Sequence, residues 1–274
     1  MKYVCGIVTY FPNESILGKI KEYSNVFEHI LVFDNTPNGS KFLKKMDNFL
    51  KVEVIFNKQN LGLSKAYEIL LEKTADGYNY LCLLDQDSVF NSGEIYKMMN
   101  FINIYPTKEK VAIFSPRIVY NEKNLKTFVS DYEFKKFVIS SGSFINLEIV
   151  KNDLDIKFDA NYFVDRVDTD FCMLCVKKGY KLVQYNKSVL IQQLGTEGHF
   201  GISQHSYKRH YYIFRNRFYY NQKFYRHYKS LSILQTLKQC LRIILFEDEK
   251  TLKLKQLSYA IHDFNHGCMS KGRY

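Results

Sequence analysis

No G-x-G-x-x-G follows the first strand-like run of this 274-residue chain, and no G-x-x-x-x-G-K-[ST] occurs anywhere, which counts against dinucleotide dehydrogenases and P-loop enzymes. Long apolar runs are missing too. No stretch comes near the roughly 18 uninterrupted apolar residues of a membrane span, and no charged segment leads into an apolar one at the N-terminus, so neither a spanning helix nor a signal peptide is expected. The six cysteines (Cys5, Cys82, Cys172, Cys175, Cys240 and Cys268) are scattered, several of them inside apolar runs. They read as buried reduced thiols in a reducing compartment rather than a disulfide framework. Cys172 and Cys175 form a C-x-x-C, but no second pair follows at zinc spacing. Acids are outnumbered: 28 Asp+Glu against 39 Lys+Arg leave a net charge of +11, which points to a polyanionic partner such as nucleic acid, an anionic membrane or a phosphorylated substrate. No RNP-type, zinc-finger or helix-turn-helix pattern accompanies that charge, so nucleic acid is a weaker reading than a membrane surface.

What is present is centred on Tyr80-Leu81-Cys82-Leu83-Leu84-Asp85-Gln86-Asp87-Ser88. The apolar run from Tyr80 to Leu84 reads as a strand buried on both faces of a mostly parallel sheet, and it ends in two carboxylates. Ligands of open α/β sheets bind just outside the carboxyl ends of the strands, where two acids one residue apart are placed to hold a divalent cation against a diphosphate. Asp-x-Asp alone is also what a solvated acidic turn looks like.

The rest of the chain frames that stretch. Tyr3–Thr9, His29–Phe33, Val52–Phe56 and Val111–Ser115 read as further strands, and helices are expected around Ile16–Ile20, after Asn60-Leu61-Gly62-Leu63 with Ser64 as N-cap, and over Ile95–Ile104. This is the βαβ rhythm of a sheet covered by helices on both faces. With 46% hydrophobic residues, the length accommodates one large domain or a domain with an appendage. Arg117–Phe137 is weakly patterned, and Val138–Phe144 resumes strand character around Ser140-Ser141-Gly142-Ser143, where small residues let a sugar or phosphate approach the backbone. Asp165, Asp168 and Asp170 crowd a short segment that an acidic helix start would also explain.

From Tyr207 to Lys229 there are ten Tyr or Phe, seven Lys or Arg, two His and no acid. Ser230–Phe246 follows with Leu234, Leu237, Leu241, Ile244 and Leu245 on one helical face and Gln235, Lys238, Gln239 and Arg242 on another. An ordinary core-facing helix accounts for that pattern. A basic amphipathic element lying in a membrane surface accounts for the adjoining aromatic and cationic residues as well.

Val8-Thr9-Tyr10, Phe33-Asp34-Asn35, Asn60 to Ala66, Leu84-Asp85-Gln86-Asp87-Ser88, Ser141-Gly142-Ser143 and Val167-Asp168-Thr169-Asp170 resemble, in order and spacing, the motifs of family 2 glycosyltransferases with the GT-A fold. The DQDS form and Tyr211-Tyr212-Ile213-Phe214-Arg215-Asn216 are most similar to the bacterial rhamnosyltransferase-like branch, over roughly residues 1–220. The resemblance implies a GT-A catalytic domain over 1–205, with a nucleotide-sugar half to about 115 and an acceptor half from 116. A helical, membrane-associating extension over 206–274 follows it. It implies an inverting, metal-dependent transfer of rhamnose or a hexose from a dTDP- or UDP-sugar to a polyprenyl-phosphate-linked saccharide, in capsule, O-antigen or other cell-surface polysaccharide synthesis. The enzyme would then sit at the cytoplasmic face of a bacterial cell membrane, with a second copy of itself as a further candidate partner.

By the same resemblance, Thr9, Tyr10, Asp34, Asn60, Gly62, Lys65 and Gln86 contact the donor, with Asp34 accepting from the base. Asp85 and Asp87 bracket the ribose-phosphate and Mg²⁺ or Mn²⁺, and Asp168 is the general base. Ser141, Gly142, Asp165, Asp170, Arg209, Arg215 and Asn216 are candidates for acceptor or phosphate contacts. One departure stands out: many relatives carry His-x-Leu-Gly where this chain has Gln192-Gln193-Leu194-Gly195, and Gln is a poor ligand for a transition metal. Either Asp87 and water suffice, favouring Mg²⁺, or His199 or His205 supplies the ligand. The rival reading from another class is a catalytically idle GT-A-like module that binds polyanions or membrane through its basic tail.

Overall fold

The structure is a computed structural model that describes residues 1–74, 76–120, 130–192 and 205–272. It divides into two compact units, one of residues 1–159 with 168–193 and one of residues 160–167 with 194–274.

The first unit is a helix-covered, eight-stranded sheet. In chain order it contains β1 (Tyr3–Thr9), α1 (Ser15–Ser24), β2 (His29–Asp34), α2 (Leu43–Asp47), β3 (Val52–Phe56), α3 (Leu63–Lys73), β4 (Tyr80–Asp85) and α4 (Ser92–Ile104). It continues through β5 (Val111–Tyr120), β6 (Tyr132–Lys135), β7 (Phe144–Asn146), α5 (Leu147–Asn152), α6 (Val167–Lys177) and β8 (Lys181–Gln192). The strand order is β3-β2-β1-β4-β7-β5-β8-β6. Strands β1 to β4 are parallel and nearly continuously apolar, because helices cover both faces. Their register sets Thr9 beside Asp34 and Val8 beside Asp85, so residues 77 positions apart in sequence arrive at one sheet edge. The short β7 is antiparallel to both β4 and β5, and β8 runs parallel to β5 with β6 closing the far edge.

Two local expectations need correction. Val138–Phe144 is not a strand: only Phe144–Asn146 pairs, and Ser140–Ser143 is a turn in which the Ser143 N–H donates to the Ser140 carbonyl at 2.9 Å. Gly142 belongs there for packing. Its φ is +79°, and a Cβ would lie 2.5 Å from Leu190 Cδ1 and 2.9 Å from Pro116 Cγ. Ser64 does not cap α3, whose N-cap lies two residues earlier at Gly62 with φ 82°; the Ser64 hydroxyl donates instead to the Asp159 carbonyl at 2.7 Å.

The second unit holds α7 (Tyr207–Phe224), α8 (Tyr228–Phe246) and α9 (Lys250–Asn265). Its core joins Tyr211, Tyr212, Phe214, Ile243 and Ala260 with Phe163, Val164, Cys240, Leu254 and Leu257. The middle of the aromatic-basic run is therefore interior, because α7 packs on both other helices: Tyr220, Arg215 and Arg217 are buried with it, while Lys223, Tyr225, Arg226 and Lys229 are exposed. Helix α8 has the reverse arrangement. Its inward residues include Ser232 and Thr236, which bond Asn221 and Arg217 of α7, while Ile233, Leu234, Leu237, Leu241, Ile244 and Leu245 are exposed. No helix among the described residues is long and apolar enough to cross a membrane.

Candidate active site

Three carboxylates form the centre of the first unit's site. Asp85 ends β4 and Asp168 lies in the first turn of α6. Asp87 is exposed on the turn after β4. Burial, then the negative charges of Asp168 and Asp87, push the Asp85 carboxyl up to about 7. The buried Tyr67 hydroxyl, from α3, donates to Asp85 Oδ1 at 3.0 Å and is itself held well above its ordinary range by burial and the adjacent acids. Ser140 donates to Asp168 Oδ1. Ser141 Oγ accepts the Asp85 N–H at 3.0 Å and lies 2.7 Å from Ser88 Oγ, so the Ser140-Ser141 turn braces both acid motifs.

The expected donor residues line the neighbouring strand ends. Asp34 is fully buried, its Oδ1 taking the Thr9 hydroxyl (3.3 Å) and the Thr36 N–H (3.0 Å), its Oδ2 the Ser40 N–H (2.7 Å). In this conformation it shapes the loop after β2. Asn35, which sequence reasoning left without a role, ties that loop to the next: its side chain accepts from Leu61 N–H at 2.7 Å and donates to the Gly62 carbonyl at 3.1 Å. Asn60 accepts the Gly62 N–H at 2.9 Å, a local turn that explains the Asn-Leu-Gly spacing. Lys65 is paired with Glu68 at 2.6 Å, and Tyr10 is exposed. Gln86 is engaged at both ends: its carboxamide accepts the Tyr10 N–H at 2.8 Å and donates to the Tyr10 carbonyl at 3.0 Å.

The remaining candidates are divided between the two units. Asp170 is buried on α6. In the second unit Arg209 and Asp165 neutralise each other in a forked pair, with Arg209 Nη2 3.0 Å from Asp165 Oδ1. Asn216 donates to the Val164 and Asp165 carbonyls at 2.7 and 3.1 Å, across a turn where Asp165 and Arg166 adopt φ of 61° and 69°. Arg215 is turned into the helical core. Its side chain is fully buried and bonds Tyr211 Oη and the Cys268 and Ser270 carbonyls, a structural use that composition could not distinguish from a surface one. Burial, then Arg209, hold the His205 imidazole below its ordinary range. Gln193, Leu194, Gly195 and His199 lie outside the described residues. All six cysteines are free thiols, with Cys172 and Cys175 buried on α6.

Among the described residues no three His, Cys, Asp or Glu side chains converge as a metal-binding group. The donor set fits a hard divalent cation bound by one or two carboxylates with substrate phosphates completing its shell. Burial, and after it the charges of Asp168 and Asp87, disfavour the ionised Asp85 carboxyl, a penalty that such an ion would relieve.

The sequence profile of glycosyl transferase family 2 matches residues 13–161, more than half of the chain. The chain belongs to that family. This glycosyltransferase is 26% identical over 291 residues to the dTDP-rhamnosyl transferase RfbF of Shigella flexneri, covering 98% of this chain and 97% of that protein. Its fold is GT-A. The structure of GalNAc-T7 with UDP, GalNAc and Mn²⁺ matches 97% of this chain with a TM-score of 0.64 at 13% identity, and S. aureus TarS 1-349 in complex with UDP-GlcNAc matches 97% with 0.55 at 14%. The family 2 chain spans 57% of the GalNAc-T7 chain, 73% of TarS 1-349 and 43% of the longer TarS chain.

Proposed function

We propose that this glycosyltransferase transfers rhamnose or a hexose, with inversion, from a dTDP- or UDP-sugar to a lipid-linked saccharide acceptor in cell-surface polysaccharide synthesis. The observation that carries this reading is the placement of Asp85 and Asp87 at the carboxyl end of β4 beside the start of α6, where Asp168 is braced by the Ser140-Ser141 turn that also holds Asp85. The full-length likeness to a dTDP-rhamnosyl transferase supports dTDP-rhamnose as the first donor to try. Thr9, Tyr10, Asn60, Gly62 and Lys65 are proposed to shape the nucleoside and diphosphate pocket at the carboxyl ends of β1 to β3, with Asp34 holding its base-binding loop. Asp85 and Asp87 would hold Mg²⁺ or Mn²⁺, which when bound neutralises charge on the departing diphosphate. Asp168, oriented by the Ser140 hydroxyl, takes the proton from the acceptor hydroxyl as that oxygen attacks from the face opposite the leaving group.

The test is a donor panel. With Mn²⁺, dTDP-rhamnose is expected to raise the melting temperature and to be hydrolysed slowly, and EDTA to abolish both effects. No response to any dTDP- or UDP-sugar would overturn the reading. The anomeric configuration of the product, read by NMR, tests inversion.

A lipid-linked acceptor calls for a membrane surface, and α8 is where we place it. Its six exposed aliphatic residues run beside Lys229 and Lys238, both exposed, a pattern suited to the boundary of an anionic bilayer. Anionic liposomes are expected to co-sediment the protein better than neutral ones. Replacing Leu234, Leu237 and Leu241 together with Gln should release it, while soluble acceptor analogues are still turned over. Unchanged sedimentation of that triple variant would remove α8 from the membrane.

A further inference from the structure

Asp87 is exposed on a two-residue turn, a poor support for a group that must meet a cation at fixed distance. The structure stiffens the turn from two sides. From α1, the Lys19 ammonium donates to the Gln86 carbonyl at 2.7 Å and to the Ser88 carbonyl at 2.8 Å, the carbonyls of the residues before and after Asp87. From the other side, the Gln86 carboxamide bonds both the N–H and the carbonyl of Tyr10, joining this turn to the end of β1. Ser88 is meanwhile held through Ser141. The chain is thus held on either side of Asp87, which lines a cavity of about 340 Å³.

We infer that Lys19 and Gln86 are positioning residues of this glycosyltransferase: they hold the Asp87 turn in register with the Thr9-Tyr10 loop, so that metal-binding and nucleoside-binding elements move as one piece. The inference rests on the proposed metal role of Asp87. A surface lysine would keep its ammonium in water. Lys19 is half-buried, and desolvation lowers its pKa against the opposing pull of Asp87. A desolvated ammonium bonded to two backbone carbonyls serves geometry more than charge. That distinction makes the inference testable, because positioning and electrostatics predict opposite signs. As a nearby positive charge, Lys19 would repel a cation, and its removal would tighten metal binding. As a positioning group, its removal loosens the turn and weakens binding by the 10- to 100-fold typical of residues that orient metal ligands.

The experiment titrates Mn²⁺ by electron paramagnetic resonance in the presence of UDP or dTDP, using folded wild type, Lys19→Met, Lys19→Arg, Gln86→Ala and Asp87→Asn. The Mn²⁺ dissociation constant is expected to rise about 10-fold or more in Lys19→Met and to return to within about threefold of wild type in Lys19→Arg, which can still donate to two carbonyls. Gln86→Ala should rise similarly, and it carries the test if Lys19→Met does not fold. Donor KM should rise in parallel, while kcat at saturating metal and donor changes much less. An unchanged or tighter Mn²⁺ constant in both Lys19→Met and Gln86→Ala overturns the inference, provided Asp87→Asn weakens binding. No change in Asp87→Asn overturns instead the metal assignment on which it rests.

Discussion

Asp168→Asn is expected to leave donor and Mn²⁺ affinity within about twofold of wild type while turnover falls by 10²-fold or more, the range of a lost general base. The amide has nearly the shape of the carboxylate and can still accept the Ser140 hydroxyl, so the geometry at the start of α6 is retained. What it cannot do is take a proton at neutral pH. Sugar transfer depends on deprotonating a neutral hydroxyl as it attacks, so the loss should appear in kcat and not in donor KM. Isothermal titration with nucleotide, beside steady-state release of nucleoside diphosphate, separates the two. Weakened donor or metal binding in this variant would make Asp168 a ligand and move the base elsewhere, Asp170 being a poor replacement because it is buried.

The parallel half of the sheet is legible in sequence because β1, β2 and β4 are buried on both faces and so read as unbroken apolar runs. Strands β6 and β8 escape that reading. Tyr132–Lys135 alternates on an edge, and Lys181–Gln192 mixes Gln, Asn and Lys with its apolar residues, so neither presents a run that stands out from a loop. The acid motifs are legible for a different reason: Asp85 and Asp87 follow directly on an apolar strand. Sequence does not show what supports them. Lys19 and Tyr67 look like ordinary helix residues, and their roles depend on which carbonyl or carboxylate the fold brings opposite them. Helix α7 shows the same limit in reverse. Its Tyr, Phe and Arg composition fits a membrane belt and a helix core equally well, and only packing puts Arg215 against the Cys268 and Ser270 carbonyls instead of against lipid or phosphate.

Asp85→Asn should make the metal-free protein more stable while abolishing transfer. The Asp85 carboxyl titrates near 7 in the folded chain against 3.8 for an ordinary aspartate, because burial and then Asp168 and Asp87 disfavour its charge. The folded state therefore binds this proton more tightly than the unfolded state. Stability contributed by the protonated form is complete below about pH 4, is lost as pH rises towards 7, and stays lost above it. About three pKa units correspond to at most roughly 4 kcal/mol, and the solvent that still reaches this half-buried group lowers the figure. Asparagine carries no charge at any of these pH values and can still accept the Tyr67 hydroxyl, so the variant should melt several degrees above wild type at pH 8 and close to it at pH 4.5. Adding Mn²⁺ with dTDP should reverse the order at pH 8, since a cation stabilises the ionised wild-type site and gains little from an amide. A variant no more stable than wild type at pH 8 without metal would show that the acid cluster is not strained. An equal gain at both pH values would assign the effect to packing and not to charge. Either result would leave Asp85 without the electrostatic reason for a divalent ion that its burial beside Asp168 and Asp87 now provides.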